Sequence, residues 1–207
     1  MRNVCLSLGI IAAFLGFAAF TTEAIAQVAS QDPSQVKPGV YEVDPSHTQI
    51  GFSISHLGLT NFSGLFAGAS GTLRLDPAKP TESTLEIAIA TASVTTTVPA
   101  LNEQLKGDQW FDTAHFPTAT FTSTKIVWAG KQSATIVGDL TLHGVTKPVT
   151  LEAHLVGSGV NPLDKAFTAG FEATGAIKRS DFGIKTYLPL LGDDVHLTIA
   201  GAFELRP

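Results

Sequence analysis

The chain of 207 residues has one cysteine, Cys5, so no disulfide can form within it. Charge is also scarce: 13 Lys and Arg, 18 Asp and Glu, 15% in all. Average soluble proteins carry about 25%. With 44% apolar residues, this composition excludes intrinsic disorder, which needs low hydrophobicity and high net charge. A net charge of −5 with no basic cluster offers no surface for phosphates, so nucleic acid is excluded as a partner. Close histidine pairs are missing as well. His47, His56, His115, His143, His154 and His196 are scattered, and no metal site is expected. No glycine-rich phosphate loop precedes a helix. Gly68-Ala69-Ser70-Gly71 lacks the G-x-S-x-G spacing and reads as strand. No catalytic residue is assigned, and no internal repeat or low-complexity tract is found.

There is one long hydrophobic run, and it stands at the start. Arg2 supplies a positive end, Val4 to Phe20 is almost all apolar, and Ala24-Ile25-Ala26 places small residues at the −3 and −1 positions. This is the grammar of a secretory signal over 1–26, cleaved after Ala26. The competing reading is an uncleaved anchor, but a run of about 17 residues is near the short limit for a span. Cys5 precedes the apolar core, which argues against lipidation there. Cleavage removes Arg2 and Glu23, leaving the charge at −5 and no cysteine. The expectation is a periplasmic protein with no integral membrane span after cleavage; full secretion is not separable from it.

Gln27 to Gly39 is polar and small and is expected as a flexible leader. Residues 40–207 then read as a single domain of alternating strands. Ile50, Phe52 and Ile54 share one face, as do Leu85, Ile87 and Ile89. So do Ile136, Gly138, Leu140 and Leu142, then Val149, Leu151, Ala153 and Leu155. Phe167, Ala169, Phe171 and Ala173 follow, and Val195 to Leu205 closes the chain. Between Phe121-x-Ser123 and Ile126-x-Trp128 the alternation slips by one, which predicts a β-bulge. Turns are expected at 76–77, 129–131 and 157–159. His143-Gly144 reads as a tight hairpin with His143 exposed. Pro99 to Lys106 breaks the pattern with Leu101 and Leu105 four apart, a short helix. Long antiparallel strands with one helical lid favour a barrel of about eight strands, whose interior is either filled or holds one small ligand.

The inward face is rich in Phe, Ile and Leu, with small residues at Gly138, Ala153, Ala169, Ala173 and Gly201. Two readings stand at this point: interdigitated core packing, or a dry tunnel in the gaps the small residues leave. His154 and His196 fall on outward faces.

The chain resembles the YceI-like family of periplasmic lipid-binding, or polyisoprenoid-binding, proteins. The matching pieces are Tyr41-Glu42-Val43-Asp44-Pro45-Ser46-His47-Thr48 with Ile50-Gly51-Phe52, then Gly64-Leu65-Phe66 and Leu105. Trp110-Phe111-Asp112, Phe116-Pro117 and Ala119-Thr120-Phe121 follow. Gly138 to Thr146 and Arg179-Ser180-Asp181-Phe182-Gly183 complete them. The resemblance implies an all-β fold: an extended eight-stranded antiparallel lipocalin-like barrel with a helical lid insertion. It implies a long-chain amphiphile (a polyisoprenoid, quinone or fatty acid derivative) as ligand, no other cofactor, and admits a homodimer. Expected contacts along the tunnel are Phe52, Ile54, Ile87, Phe121, Ile136, Leu140, Leu151, Phe167, Phe171, Leu197 and Ile199. Trp110, Phe111 and Phe116 are expected at the lid, with Phe182 beside Arg179. Arg179 has two readings: head-group contact, or a brace paired with Asp181 or Asp112. Ser46-His47 shares that ambiguity. An enzyme acting on a lipid or quinone, and a stress-related structural protein with a filled core, are the alternatives.

Overall fold

The computed structural model describes residues 28–207 except Lys131. The signal expected over 1–26 lies outside the described residues, as does Lys131 of the expected 129–131 turn. The strands are β1 (Gly39–Val43), β2 (Gln49–His56), β3 (Thr60–Phe66), β4 (Ser70–Leu75), β5 (Thr84–Ala90) and β6 (Thr95–Thr96). After the helix α1 (Pro99–Leu105) come β7 (Thr118–Trp128), β8 (Ser133–Leu142), β9 (Val145–Val160), β10 (Phe167–Lys178) and β11 (Leu191–Leu205).

These segments form eight barrel strands, because the first six are halves of three. β1 and β2 both pair with β11 on one side. On the other side β1 pairs with β4, and β2 with β3. β5 and β6 likewise continue one another along β4 and β3. All pairings are antiparallel, and β11 meeting β1 closes the ring. Two of the three joints are tied down by a threonine. Thr48 Oγ1 accepts from the Ala202 N–H (3.1 Å) and donates to its carbonyl (3.3 Å), holding the β1–β2 joint to β11. Thr91 Oγ1 donates to the Phe116 carbonyl at 2.7 Å at the β5–β6 joint.

The register slip in β7 is a bulge between Ser123 and Lys125. Both of its halves, Phe121 and then Ile126 with Trp128, face inward as expected. The β8–β9 turn has positive φ at both His143 (51°) and Gly144 (74°), the backbone of a two-residue type I′ hairpin. His143 itself is half-buried rather than exposed. Its ring packs on Phe116 with centroids 4.7 Å apart. Its Nδ1 lies 3.1 Å from the Phe182 carbonyl oxygen and so donates to it.

The pairings define two ends. The upper end carries the β2–β3 and β8–β9 hairpins, α1 and residues 179–190. The lower end carries the turns at 76–83, 129–132 and 161–166. The segment expected as a free leader runs against this lower end from Val28 onward. Ser30 exchanges two backbone hydrogen bonds with Ser158, both 2.8 Å, and the Gln132 side-chain amide donates to the Gln31 carbonyl. Val36 is buried, and the Tyr41 hydroxyl donates to the Lys37 carbonyl at 2.5 Å. Burying Val36 and satisfying these polar groups favours the docked path over a solvated one.

An apolar cavity as the candidate functional site

The inner faces of the strands enclose a cavity of about 660 Å³, within the range of known ligand sites. Small residues keep it open. Ala134 of β8 is paired with Ala153 of β9, which is paired with Ala173 of β10, and all three line the cavity. The row leaves a belt without bulk across three adjacent strands. Glycines let aromatic rings lie along the wall instead of crossing the lumen. A Cβ at Gly64 would overlap the Phe52 ring and the Thr95 carbonyl. One at Gly138 would overlap the Phe121 ring and the Thr122 carbonyl. The filled-core reading of the inner face therefore does not describe this barrel.

The residues expected on tunnel and lid separate into two groups. Phe52, Ile54, Ile87, Phe121, Ile136, Leu140, Leu151, Phe171, Leu197 and Ile199 line the cavity, as do Trp110, Phe111 and Arg179. Phe116, Phe167 and Phe182 do not. Phe167 opens β10 opposite Val160, below the lumen, and the Lys37 ammonium sits 4.5 Å from its ring centre. Phe182 lies in a 3₁₀ turn and is wholly buried. With Phe116 it clamps the His143 hairpin from outside the lumen.

Four more aromatic residues complete the wall: Trp128 of β7 and Phe203 of β11, which the alternation places inward, and Phe62 and Phe66 of β3, which it does not mark. Phe62, Gly64 and Phe66 are two apart, a strand signal blunted by the central glycine. Phe66 joins the wall to the lid. Its ring centre is 5.6 Å from that of Phe52 and 5.2 Å from that of Phe111, edge-on at 76°. From α1, Leu101 and Leu105 face the same space. Helix and connector fill the position above β7, where β6 has no strand partner on its outer side.

Arg179 is 4% exposed and works as a brace, though not with either expected aspartate. Its Nε donates to the Gly192 carbonyl (2.8 Å) and Nη2 to that of Leu191 (3.2 Å). Nη1 donates to the carbonyls of Ile184 (3.2 Å) and Thr186 (2.9 Å). Of the five N–H donors of a guanidinium, this leaves one, too few for bidentate capture of a phosphate or carboxylate. Burial pushes the guanidinium's pKa below its ordinary value, against the pull of Asp193. Trp110 covers the group, its ring centre 5.9 Å from Cζ. Asp193 accepts from the Ser180 N–H (2.9 Å) and hydroxyl (2.7 Å). Burial raises its pKa, but these bonds and the neighbouring Lys178 and Arg179 outweigh that and hold it below the usual carboxylate range. Asp112 instead meets His115 Nδ1 at 2.9 Å.

His47 lies away from the cavity, at the β1–β2 joint, with Nδ1 2.5 Å from Asp44 Oδ2. His154 and His196 are exposed, as expected. Among the described residues no group of three or more His, Cys, Asp and Glu is placed to hold a metal ion. Ser83 Oγ and the Trp128 indole N–H are buried with no protein partner, both on residues of the cavity's lower part.

The architecture is thus a closed antiparallel barrel built around an apolar lumen with a helical lid. The YceI-like domain model matches residues 41–203, and the chain belongs to that family. It is 41% identical over 162 residues to Protein YceI of Escherichia coli O157:H7, covering 77% of this chain and 84% of that protein. Among solved structures it is similar to Burkholderia cenocepacia BcnA, with a TM-score of 0.70 and 26% identity over 77% of this chain and 98% of that one. A polyisoprenoid-binding domain from Saccharophagus degradans shares the fold, with a TM-score of 0.63 and 17% identity over 82% of this chain and all (100%) of that one.

Proposed function

We propose that the protein sequesters or carries one long-chain amphiphile, a polyisoprenoid, quinone or fatty acid derivative, in the barrel of an exported, periplasmic protein. The observation that carries this is the cavity of about 660 Å³ walled almost wholly by aliphatic and aromatic side chains. Each buried methylene contributes about 0.8 kcal/mol, so a chain of about fifteen contributes roughly 12 kcal/mol before ordering and association costs. No polar contact is needed for useful affinity. The neighbour described as polyisoprenoid-binding has the same fold, which agrees with a chain-shaped ligand. Export rests on the signal grammar of 1–26; among the described residues no helix is long and apolar enough to cross a membrane. The role is binding without catalysis. Of the polar side chains on the wall, Thr48, Thr91, Gln132 and Arg179 are committed to backbone partners, and Ser83 is buried without one.

The test is mass spectrometry of organic extracts from protein purified without detergent. The expected result is a co-purifying amphiphile of one chain class at near one copy per barrel. No such species, together with no uptake of fluorescent fatty acids or isoprenoids, overturns the proposal.

A further inference from the structure

We propose that the upper rim of the barrel is a docking surface for a lipid bilayer, an inference that rests on the ligand reading above. Large apolar side chains stand exposed at several places on the described surface, among them Val127, Val156, Val160 and Leu163. Of the exposed ones, Leu57 (49%), Tyr187 (57%) and Leu190 (63%) also line the cavity. They form one rim, since the Leu57 N–H donates to the Leu190 carbonyl at 3.0 Å. Leu59, 81% exposed, extends it from the same hairpin tip. The backbone holds these residues outward: Leu57 and Tyr187 sit at φ of 57° and 60°, a region bulky residues seldom adopt.

The occupant follows from continuity and charge. The exposed apolar surface runs without a break into an apolar lumen, so whatever seats on the rim meets the ligand's own chemistry. A hydrocarbon chain that entered through water would lose about 0.8 kcal/mol per exposed methylene on the way. A rim pressed into the acyl boundary removes that barrier. The two segments that carry the rim hold no carboxylate of their own, and of those around them Asp112 is paired with His115, Asp194 with Lys178, and Asp108 shares a small hollow with Lys185. Residues 54–65 and 182–191 contain no Asp or Glu, only His56 and Lys185, in a chain of net charge −5. Glu103 of the neighbouring helix is paired with Lys106 at 2.8 Å. An apolar lip without carboxylates of its own and with a tyrosine at its edge suits the boundary between head groups and acyl chains.

The test is co-sedimentation with vesicles of equimolar phosphatidylethanolamine and phosphatidylglycerol. The protein is expressed from the full chain, and its N-terminus is read by mass. Leu59→Asp changes the rim without touching the cavity, and Leu163→Asp, at the lower end, is the control. Uptake of cis-parinaric acid from vesicle-free solution is measured in parallel. The proposal expects binding to fall about tenfold for Leu59→Asp, to hold for Leu163→Asp, and uptake to be the same in all three. Equal sedimentation of Leu59→Asp and the unsubstituted protein overturns it. So does an unsubstituted protein that takes up the probe yet ignores vesicles; the ligand reading then stands. Binding only to native envelope vesicles, and not to protein-free ones, overturns it in favour of a protein partner. Leu59-dependent sedimentation without uptake supports the docking surface and removes the ligand reading instead.

Discussion

The two ends of the barrel solve opposite problems with the same strands. At the lower end chain is added: residues 28–38 lie along the strands, Val36 and Tyr41 are buried, and short turns join β7 to β8 and β9 to β10. At the upper end strand is taken away. β6 stops after two residues, and α1 with its connector roofs a space that strand hydrogen bonds no longer close. Without those bonds the upper end depends on a few concentrated contacts, chiefly the Arg179 guanidinium on four carbonyls. The lower end spreads its stability over many small ones. A binding barrel needs that asymmetry, since an end that opens must not be held by a continuous ladder.

The largest test of this contrast is Arg179→Leu. It strands the carbonyls of Ile184, Thr186, Leu191 and Gly192 and should cost about 3–5 kcal/mol in urea unfolding. A cost below about 1 kcal/mol would break the comparison. Next comes Ala153→Phe, which puts a ring into the alanine belt between the two ends. Uptake of a long-chain probe should weaken about tenfold or more, while unfolding shifts by no more than about 1.5 kcal/mol because the ring fills existing space. Unchanged uptake would mean that the belt is not where the chain lies.

Tyr41→Phe probes the lower end and should cost about 1 kcal/mol through the lost bond to the Lys37 carbonyl. It also has a pH signature. Burial raises the Tyr41 pKa from 10.0 to about 12. A raised value favours the protonated form in the folded state. That stability is whole below pH 10 and is lost as pH climbs toward 12. The phenylalanine variant should show a shallower alkaline fall. The smallest effect is at the β1–β2 joint. The bond to Asp44 raises the His47 pKa, so its contribution is present below 6.5 and lost at higher pH. Burial pushes the Asp44 pKa up, but the bonds from His47 and Ser46 leave it below 3.8, so its contribution fades in acid. Thermal melts of His47→Gln should therefore differ from the unsubstituted protein most between about pH 4 and 6.5.

Most of the wall was legible because alternation is a local property. In β11, Val195, Leu197, Ile199, Gly201 and Phe203 all face the lumen, as their spacing says. The bulge in β7 was legible for the same reason, as a slip in that period. β1 and β3 were not, since they are short and hold Gly39 and Gly64 where an apolar residue would have marked the face, and of β4 only the start at Ser70-Gly71 was read as strand. Alternation also cannot say where along a strand the lumen ends. Phe167 has the right parity and the wrong height. Arg179 was legible as the centre of a polar cluster but not in its partners. Backbone carbonyls carry no mark in a sequence, and folding alone brings four of them around one guanidinium.

By itself, then, the sequence determined the longer strands, their inward faces, the hairpin at His143-Gly144 and the helix at Pro99, because each depends on neighbours within a few residues. Tertiary structure decided that β1 with β2 and β3 with β4 act as single strands, that the inner face encloses space, and that one end of that space meets solvent through Leu57, Tyr187 and Leu190. Those outcomes depend on closing the ring between β1 and β11, residues more than a hundred and fifty apart in the chain. An open sheet of the same strands would have an apolar face; only closure turns that face into a cavity with a mouth.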